Sequence, residues 1–567
     1  MIYRFILLAC IVVSHSVVSI AQDSAVEDEL SNSPEFKAAA KEKPGPDLLR
    51  KMQRSAIIDQ KADIGHWGHV PDKYSTWMNH SNRLIPVYTF GLTLNSLRSE
   101  GSAYRSPERL KKLYGKVPDG SINPTAMYFD QTDIYRLQMA AVDAGYSNII
   151  LMVFDGMDWQ STRAAATYKA GRVRYEQGRG SALAIQDFRE TITDFGFVVT
   201  SPYSSGAKFD VNAQTLISGA DESTGGYDWR RGGIYPWHEK SNSDYLLGLN
   251  RERPDAVTDS AASATSLNTG IKTFNGAINI DRNGSQLVPI ARVLQDEQEF
   301  KIGIVTSVPL SHATPAACYA NNMTRKDYQD ISRDLLGLRS SSHRKKPLVG
   351  VDVLIGGGWG EDAETDEYQG DNFLKGNTYL HQEDLRKSDI ANGGRYLVAQ
   401  RTKGMSGREV LMKAAQKASD EDHRLLGFFG VKGGHLPFQT ADGGYNPTID
   451  ATGVEKYSEA DITENPSLAD MTKAALVVLE QAIDGFWLMI EAGDVDWANH
   501  SNNLDNSVGA VLSGDEAFQA VMHWIDDNNA WSYTAVIVTA DHGHFLVIDD
   551  PNQYANAGKA AQAAKRK

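Results

Sequence analysis

Cysteine is nearly absent. The 567-residue chain holds two, Cys10 and Cys318, which excludes a disulfide scaffold. Long apolar runs are scarce as well. One lies near the start, from Phe5 to Val13, and no other approaches the length of a membrane span. Positive charge is in deficit: 57 Lys and Arg stand against 72 Asp and Glu, a formal net charge of -15. That balance repels phosphate backbones and argues against non-specific nucleic-acid binding. An anionic ligand would need a local positive site. No internal repeat is present.

The opening, "MIYRFILLACIVVSHSVVSIAQDS", puts Arg4 before the apolar run and the small residues Ser19 and Ala21 after it. It reads as a secretory signal peptide over residues 1–21, so the protein is expected to be exported, periplasmic or extracellular. "LLAC" at 7–10 is only a faint lipoprotein-type match. Without the leader Cys318 stands alone, and the fold must be held by its core or by metals.

Residues 22–140 read as an N-terminal extension: a charged, solvated leader, a helix, then a mixed segment decorating a core. From 148 the pattern changes. "NIILMVF" (148–154) is a continuous apolar run that ends at Asp155 and Gly156. Such a run predicts a strand buried on both faces. Similar runs follow at 195–200, 301–306, 351–358, 425–430, 486–494 and 533–544, with helical periodicity between them at 287–296 and 466–485. The alternation predicts an α/β fold: a doubly wound, mostly parallel central sheet with helices on both faces. The catalytic domain is expected over 141–548, followed by a polar tail over 549–567 whose Ala-rich end, "AGKAAQAAKRK", reads as helical. In such sheets ligands bind beyond the carboxyl ends of the strands. Those ends carry Asp155; His312 and Thr314; Glu491 and Asp494; and Asp541, His542 and His544. Each alone fits a cap or a turn. Four strands delivering acids and imidazoles to one edge point to a metal site.

"EAGDVDWANH" (491–500) places Asp496 and His500 four apart, on one face of a helix, a spacing that suits zinc. In "TADHGH" (539–544), Asp541 and His542 point opposite ways if the chain is extended; they could serve two metals, or one could back the other. Arg325 offers a planar fork for phosphate, although a surface arginine would read the same. "AVTDSAASAT" (256–265) offers two serines, Ser260 and Ser263, and its residues alone do not choose between them.

In order along the chain, "DGM" (155–157), "TDSAASAT" (258–265), "HATPAA" (312–317), "EAGDVDWANH" and "TADHGH" resemble the motifs of the metal-dependent alkaline phosphatases. The resemblance covers roughly 141–548. It implies hydrolysis of phosphate monoesters through a phosphoserine on Ser260, with Ser263 structural and Arg325 clamping the phosphate. It implies two zinc ions and one magnesium. Asp155, Asp541 and His542 match ligands of the zinc beside the serine, and Asp496 and His500 match the other zinc. Asp155, Thr314 and Glu491 match the magnesium site. His312 is counted with the candidate metal ligands, and His544 is expected to hold a ligand carboxylate. The family also implies a homodimer.

The resemblance breaks in one place. The family's second zinc takes a further histidine well after "DHGH", yet no histidine follows His544. A truncated record, an acid such as Asp549 or Asp550, or His435, His66 or His69 reaching in are the open readings. A phosphodiesterase of the same superfamily and an inactive chain that only binds metal or phosphate stay open as alternatives. A sulfatase is disfavoured, because its motif near the first strand is missing. His312 and Trp497 stand where other members carry Asp and Lys or His. Without that acid and lysine, phosphate should leave faster and magnesium be held more loosely. The phosphate inhibition constant should therefore be weaker than in members with the Asp/Lys pair; an equal or tighter constant would refute this.

Overall fold

The structure is a computed structural model that describes residue 37 and residues 46–219, 223–238, 241–248 and 257–566. The leader and Cys10 lie outside the described residues. The ten strands of the main sheet are β1 (Ile85–Phe90), β2 (Phe129–Asp130), β3 (Asn148–Phe154), β4 (Thr193–Val199), β5 (Lys301–Pro309), β6 (Val353–Gly357), β7 (Tyr396–Gln400), β8 (Arg424–Phe428), β9 (Phe486–Ala492) and β10 (Thr534–Thr539). Their order across the sheet is β7-β8-β6-β5-β9-β3-β10-β1-β4-β2. From β7 to β10 every neighbour is parallel. β1 runs antiparallel to both β10 and β4. The sheet is thus mostly parallel, as the apolar runs predict.

The central strands are apolar throughout because helices cover them. Every residue of β3, β9 and β10 is buried. Helices Leu468–Leu479 and Leu504–Asp527 pack on one another and on the central strands, with Gly407–Asp420 and Trp159–Ala170 beside them. Helices Thr132–Asp143, Ser260–Thr269, Ile290–Gln298 and Ala313–Ala317 form a second set. Among the described residues no helix is long and apolar enough to cross a membrane.

Two segments differ from their expected roles. Residues 66–140 are more than decoration: β1 is inserted beside β10, and its six residues are buried. Residues 551–565 form a helix, Pro551–Lys565, as the Ala-rich tail predicts, but it is docked: it buries Tyr554 and Ala557 against Trp159–Ala170 and Leu48–Asp59. At Gly558 the two helices touch so closely that an added Cβ would lie 1.8 Å from the Tyr168 carbonyl oxygen. We expect Gly558→Ala to separate them at a cost of about 1–3 kcal/mol, read by urea denaturation; an unchanged midpoint would contradict this docking.

Candidate metal centre and nucleophile

The site lies beyond the carboxyl ends of β3, β5, β9 and β10. β3 ends at Phe154, and the chain turns through Asp155 and Gly156. Gly156 has φ +72°, and a Cβ there would meet His544 Cδ2 at 2.9 Å and Asp496 Cα at 3.0 Å. Only glycine allows this turn so close to the site. Its N–H donates to Asp541 Oδ1 (3.1 Å), and its carbonyl accepts from Asn499 (3.0 Å).

Ser260 is the first residue of helix Ser260–Thr269, and Asp259 caps it by accepting from the Ala262 N–H (3.0 Å). All ten helix residues are buried. The run of Ala and Ser lets the helix sit tightly among its neighbours, with its N-terminal partial positive charge at the site. The two serines now separate. Ser260 Oγ faces His542 Nε2 at 3.2 Å, whereas the Ser263 hydroxyl donates to the Asp541 carbonyl oxygen inside the core. Ser263 secures the strand end; Ser260 is the serine that faces the cluster.

Two groups of metal-capable side chains converge here. Asp155, Asp541 and His542 form one, and His80, Asp496, His542 and His544 the other. His542 Nε2 lies 3.2 Å from Asp155 Oδ1 and 3.5 Å from Asp541 Oδ2. Asp496 Oδ1 sits among four imidazoles: His544 at 2.7 Å, His500 at 3.5 Å, His80 at 3.6 Å and His542 at 3.8 Å. The Thr314 hydroxyl donates to Asp155 Oδ2 (3.4 Å), and that of Thr306 to Glu491 Oε2. The sequence spacing of Asp496 and His500 holds, in helix Asp494–His500.

This much buried charge is out of balance. Burial, joined by Asp541, Asp496 and Glu491, pushes Asp155 well above the usual carboxylate range. Burial also pushes Glu491 up to about 8, reinforced by Asp541 and opposed by the Thr306 hydroxyl. Burial works against Asp496 too, but His500, His544 and His542 prevail and hold it well below its ordinary value. One oxygen each of Asp155, Glu491 and Asp541 is buried without a hydrogen-bond partner, as are the Nδ1 atoms of His542 and His544. Unpartnered buried carboxylate oxygens are costly, and a coordinated cation is the usual remedy. Oxygen donors around Asp155, Thr314 and Glu491 suit a hard ion, and the imidazole-rich groups suit zinc.

Arg325 stands beside Ser260's loop. It donates to Asp259 Oδ2 (3.2 Å), which also accepts from the Gly276 N–H (3.0 Å), and its other terminal nitrogen meets His312 Nε2 at 3.3 Å. His312 therefore backs the guanidinium and belongs to neither metal-capable group. Burial, with Arg325 adjacent, lowers its pKa to about 3.

None of the other residues weighed as a further ligand of the second zinc reaches the cluster. His66 pairs with Asp549 (2.8 Å), and His69 is exposed. Asp550 caps helix Pro551–Lys565. His435 stacks on Phe438, 4.0 Å between ring centres, with Trp497 against its edge. The residue that does reach in is His80, which sequence reading passed over. Its signal was slight: a lone imidazole just before the buried stretch 84–90.

A model of the alkaline phosphatase family matches residues 214–566. The chain belongs to the alkaline phosphatase family. Alkaline phosphatase 3 of Bacillus subtilis (strain 168) is 30% identical over 302 residues, 53% of this chain and 52% of its own length. Alkaline phosphatase of Escherichia coli (strain K12) is 30% identical over 322 residues, 54% of this chain and 62% of its own. The matches thus span about half the length of the first of these curated relatives. Among solved structures, Thermus thermophilus alkaline phosphatase aligns at 22% identity and a TM-score of 0.42, over 70% of this chain and 60% of that one.

The raised Glu491 pKa sets a sign. The unfolded chain releases this proton near 4.5, while the metal-free fold keeps it to about 8. Between those values the unfolded state binds fewer protons, so metal-free stability falls as pH rises. Binding a cation requires the carboxylate and releases the proton. For an alkaline phosphatase family member with this cluster, chelated protein should melt lower at pH 8 than at pH 6. Added zinc and magnesium should raise the midpoint more at pH 8; an equal rise at both would contradict the coupling.

Proposed function

We propose that this protein hydrolyses phosphate monoesters, with Ser260 as nucleophile, at a site for two zinc ions and one magnesium. The observation that carries the reading is the convergence on Ser260 of buried acids and imidazoles whose unpartnered atoms call for cations. Asp155, Asp541 and His542 would hold one zinc, Asp496 and His500 the other, and Asp155, Thr314 and Glu491 the magnesium. His544 donates to Asp496 and orients it. When bound, these ions supply Lewis-acid stabilisation of the phosphate oxygens and lower the pKa of serine and water.

The chain's own residues do the rest. The N-terminus of helix Ser260–Thr269 and the two terminal nitrogens of Arg325 favour the dianionic phosphoryl group. Asp259, fixed by the Gly276 N–H, keeps Arg325 aimed. Ser260 Oγ forms a bond to phosphorus as the ester P–O bond breaks; the serine gives up a proton and the departing alkoxide gains one. Water then displaces Ser260, which recovers its proton, and inorganic phosphate leaves. Nothing in this scheme grips the leaving group, so broad monoester specificity is expected. The leader sequence supports an exported enzyme.

The test is hydrolysis of p-nitrophenyl phosphate at pH 9–10 with zinc and magnesium. Ser260→Ala should lower kcat by about 1,000-fold or more. Arg325→Ala should lower kcat/KM by about 10- to 100-fold, the worth of lost charge-assisted hydrogen bonds. Ser263→Ala should act on stability more than on rate. Faster turnover of bis-p-nitrophenyl phosphate would favour a phosphodiesterase. No turnover of either by folded, metal-loaded protein would leave a chain that only binds.

A further inference from the structure

We infer that His80, from the N-terminal segment, is a metal ligand and completes the group formed by Asp496 and His500. This rests on the two-zinc reading above and adds a residue which that reading lacks.

The hydrogen bonds fix the imidazoles. His80 Nδ1 lies 2.8 Å from the Thr258 carbonyl oxygen, and His500 Nδ1 lies 2.6 Å from that of Met78. A carbonyl oxygen only accepts, so both Nδ1 atoms carry their protons. In the neutral tautomers each Nε2 then presents a lone pair, and the two Nε2 atoms face each other at 3.1 Å. The third corner is Asp496 Oδ1, 3.6 Å from His80 and 3.5 Å from His500. Two lone pairs and a carboxylate oxygen repel unless a metal ion or a proton lies among them, and burial beside the other imidazoles disfavours the proton on His80. Zinc bonds of about 2.0–2.1 Å in a tetrahedron give ligand–ligand edges of about 3.3–3.4 Å, close to this triangle. Tautomers fixed by backbone carbonyls are also what metal-bound histidines show.

The delivery is rigid. His80–Ser81 pairs antiparallel with Gly543–His544, with His80 opposite His544. On one side the Asn502 amide donates to Ser75 Oγ (2.7 Å) and to the Trp77 carbonyl (3.0 Å). On the other, Arg83 reaches Asp158 (3.0 Å), and the chain enters β1. The Thr258 contact ties His80 to the loop that leads into Ser260, so this ligand also steadies the nucleophile's approach.

Zinc bound per chain is measured by elemental analysis across a chelator titration, for wild type, His80→Ala and His80→Gln. The expected result is two zinc ions in wild type and one tightly held in either variant. The second should be weakened by at least about 100-fold and recovered with added imidazole. His80→Gln keeps a polar side chain, so a folding defect confined to His80→Ala does not decide the matter; circular dichroism identifies it. Cobalt substitution gives a second readout, since absorption from the Asp496 site should weaken in the variants. Wild-type stoichiometry and chelator midpoint in a folded His80 variant would overturn the inference. Wild type that binds two zinc ions yet hydrolyses no monoester would overturn the proposed function while leaving the His80 measurement intact.

Discussion

Everything at the centre of this protein answers to one constraint: four carboxylates, Asp155, Glu491, Asp496 and Asp541, are buried together, and the other three all act on Asp155. In a medium of low dielectric such a group cannot all ionise without compensation. Protons are one answer, and burial with the neighbouring acids raises Asp155 and Glu491 toward it. Cations are the other. The surrounding devices make sense as preparation for them. Glycine at 156 clears space, Thr306 and Thr314 orient oxygens, and imidazoles ring Asp496.

The parallel sheet makes this concentration possible. Seven adjacent parallel strands, β7 to β10, end at one edge, so residues distant in sequence meet there without long side chains. Helix Ser260–Thr269 brings its N-terminus to the same edge, and Ala261, Ala262 and Ala264 keep it close. Arg325 balances the local charge while itself held by Asp259. An acidic protein thus brings a partly buried guanidinium and a helix N-terminus to the same edge as its clustered acids.

Much of this was legible in the chain. Strands buried on both faces are continuous apolar runs, and "NIILMVF" marks β3 residue for residue. Acids and histidines immediately after such runs name the site edge, and the four-residue spacing of Asp496 and His500 is read directly. What escaped was the non-local part. β1 contains Pro86 and Thr89, β7 is half-exposed at the sheet margin, and β2 is two residues long. None shows the uninterrupted apolar pattern of a central strand. His80 was invisible because its meaning comes from a partner 420 positions away. The choice of Ser260 over Ser263 came from the family resemblance and not from the small-residue run that holds both; the structure adds the contacts of Ser260 with His542 and of Ser263 with the Asp541 carbonyl.

β1 carries a cost during synthesis. It pairs with β10, and the Thr539 hydroxyl meets the Pro86 carbonyl oxygen across 453 positions of sequence. β1 can meet β4 once residue 199 has been made, but its other edge must wait for β10, until almost the whole described chain has been made. Such long-range pairing has a high loop-closure entropy and folds slowly. Meanwhile the edge of β1 that will meet β10 stays open to non-native pairing.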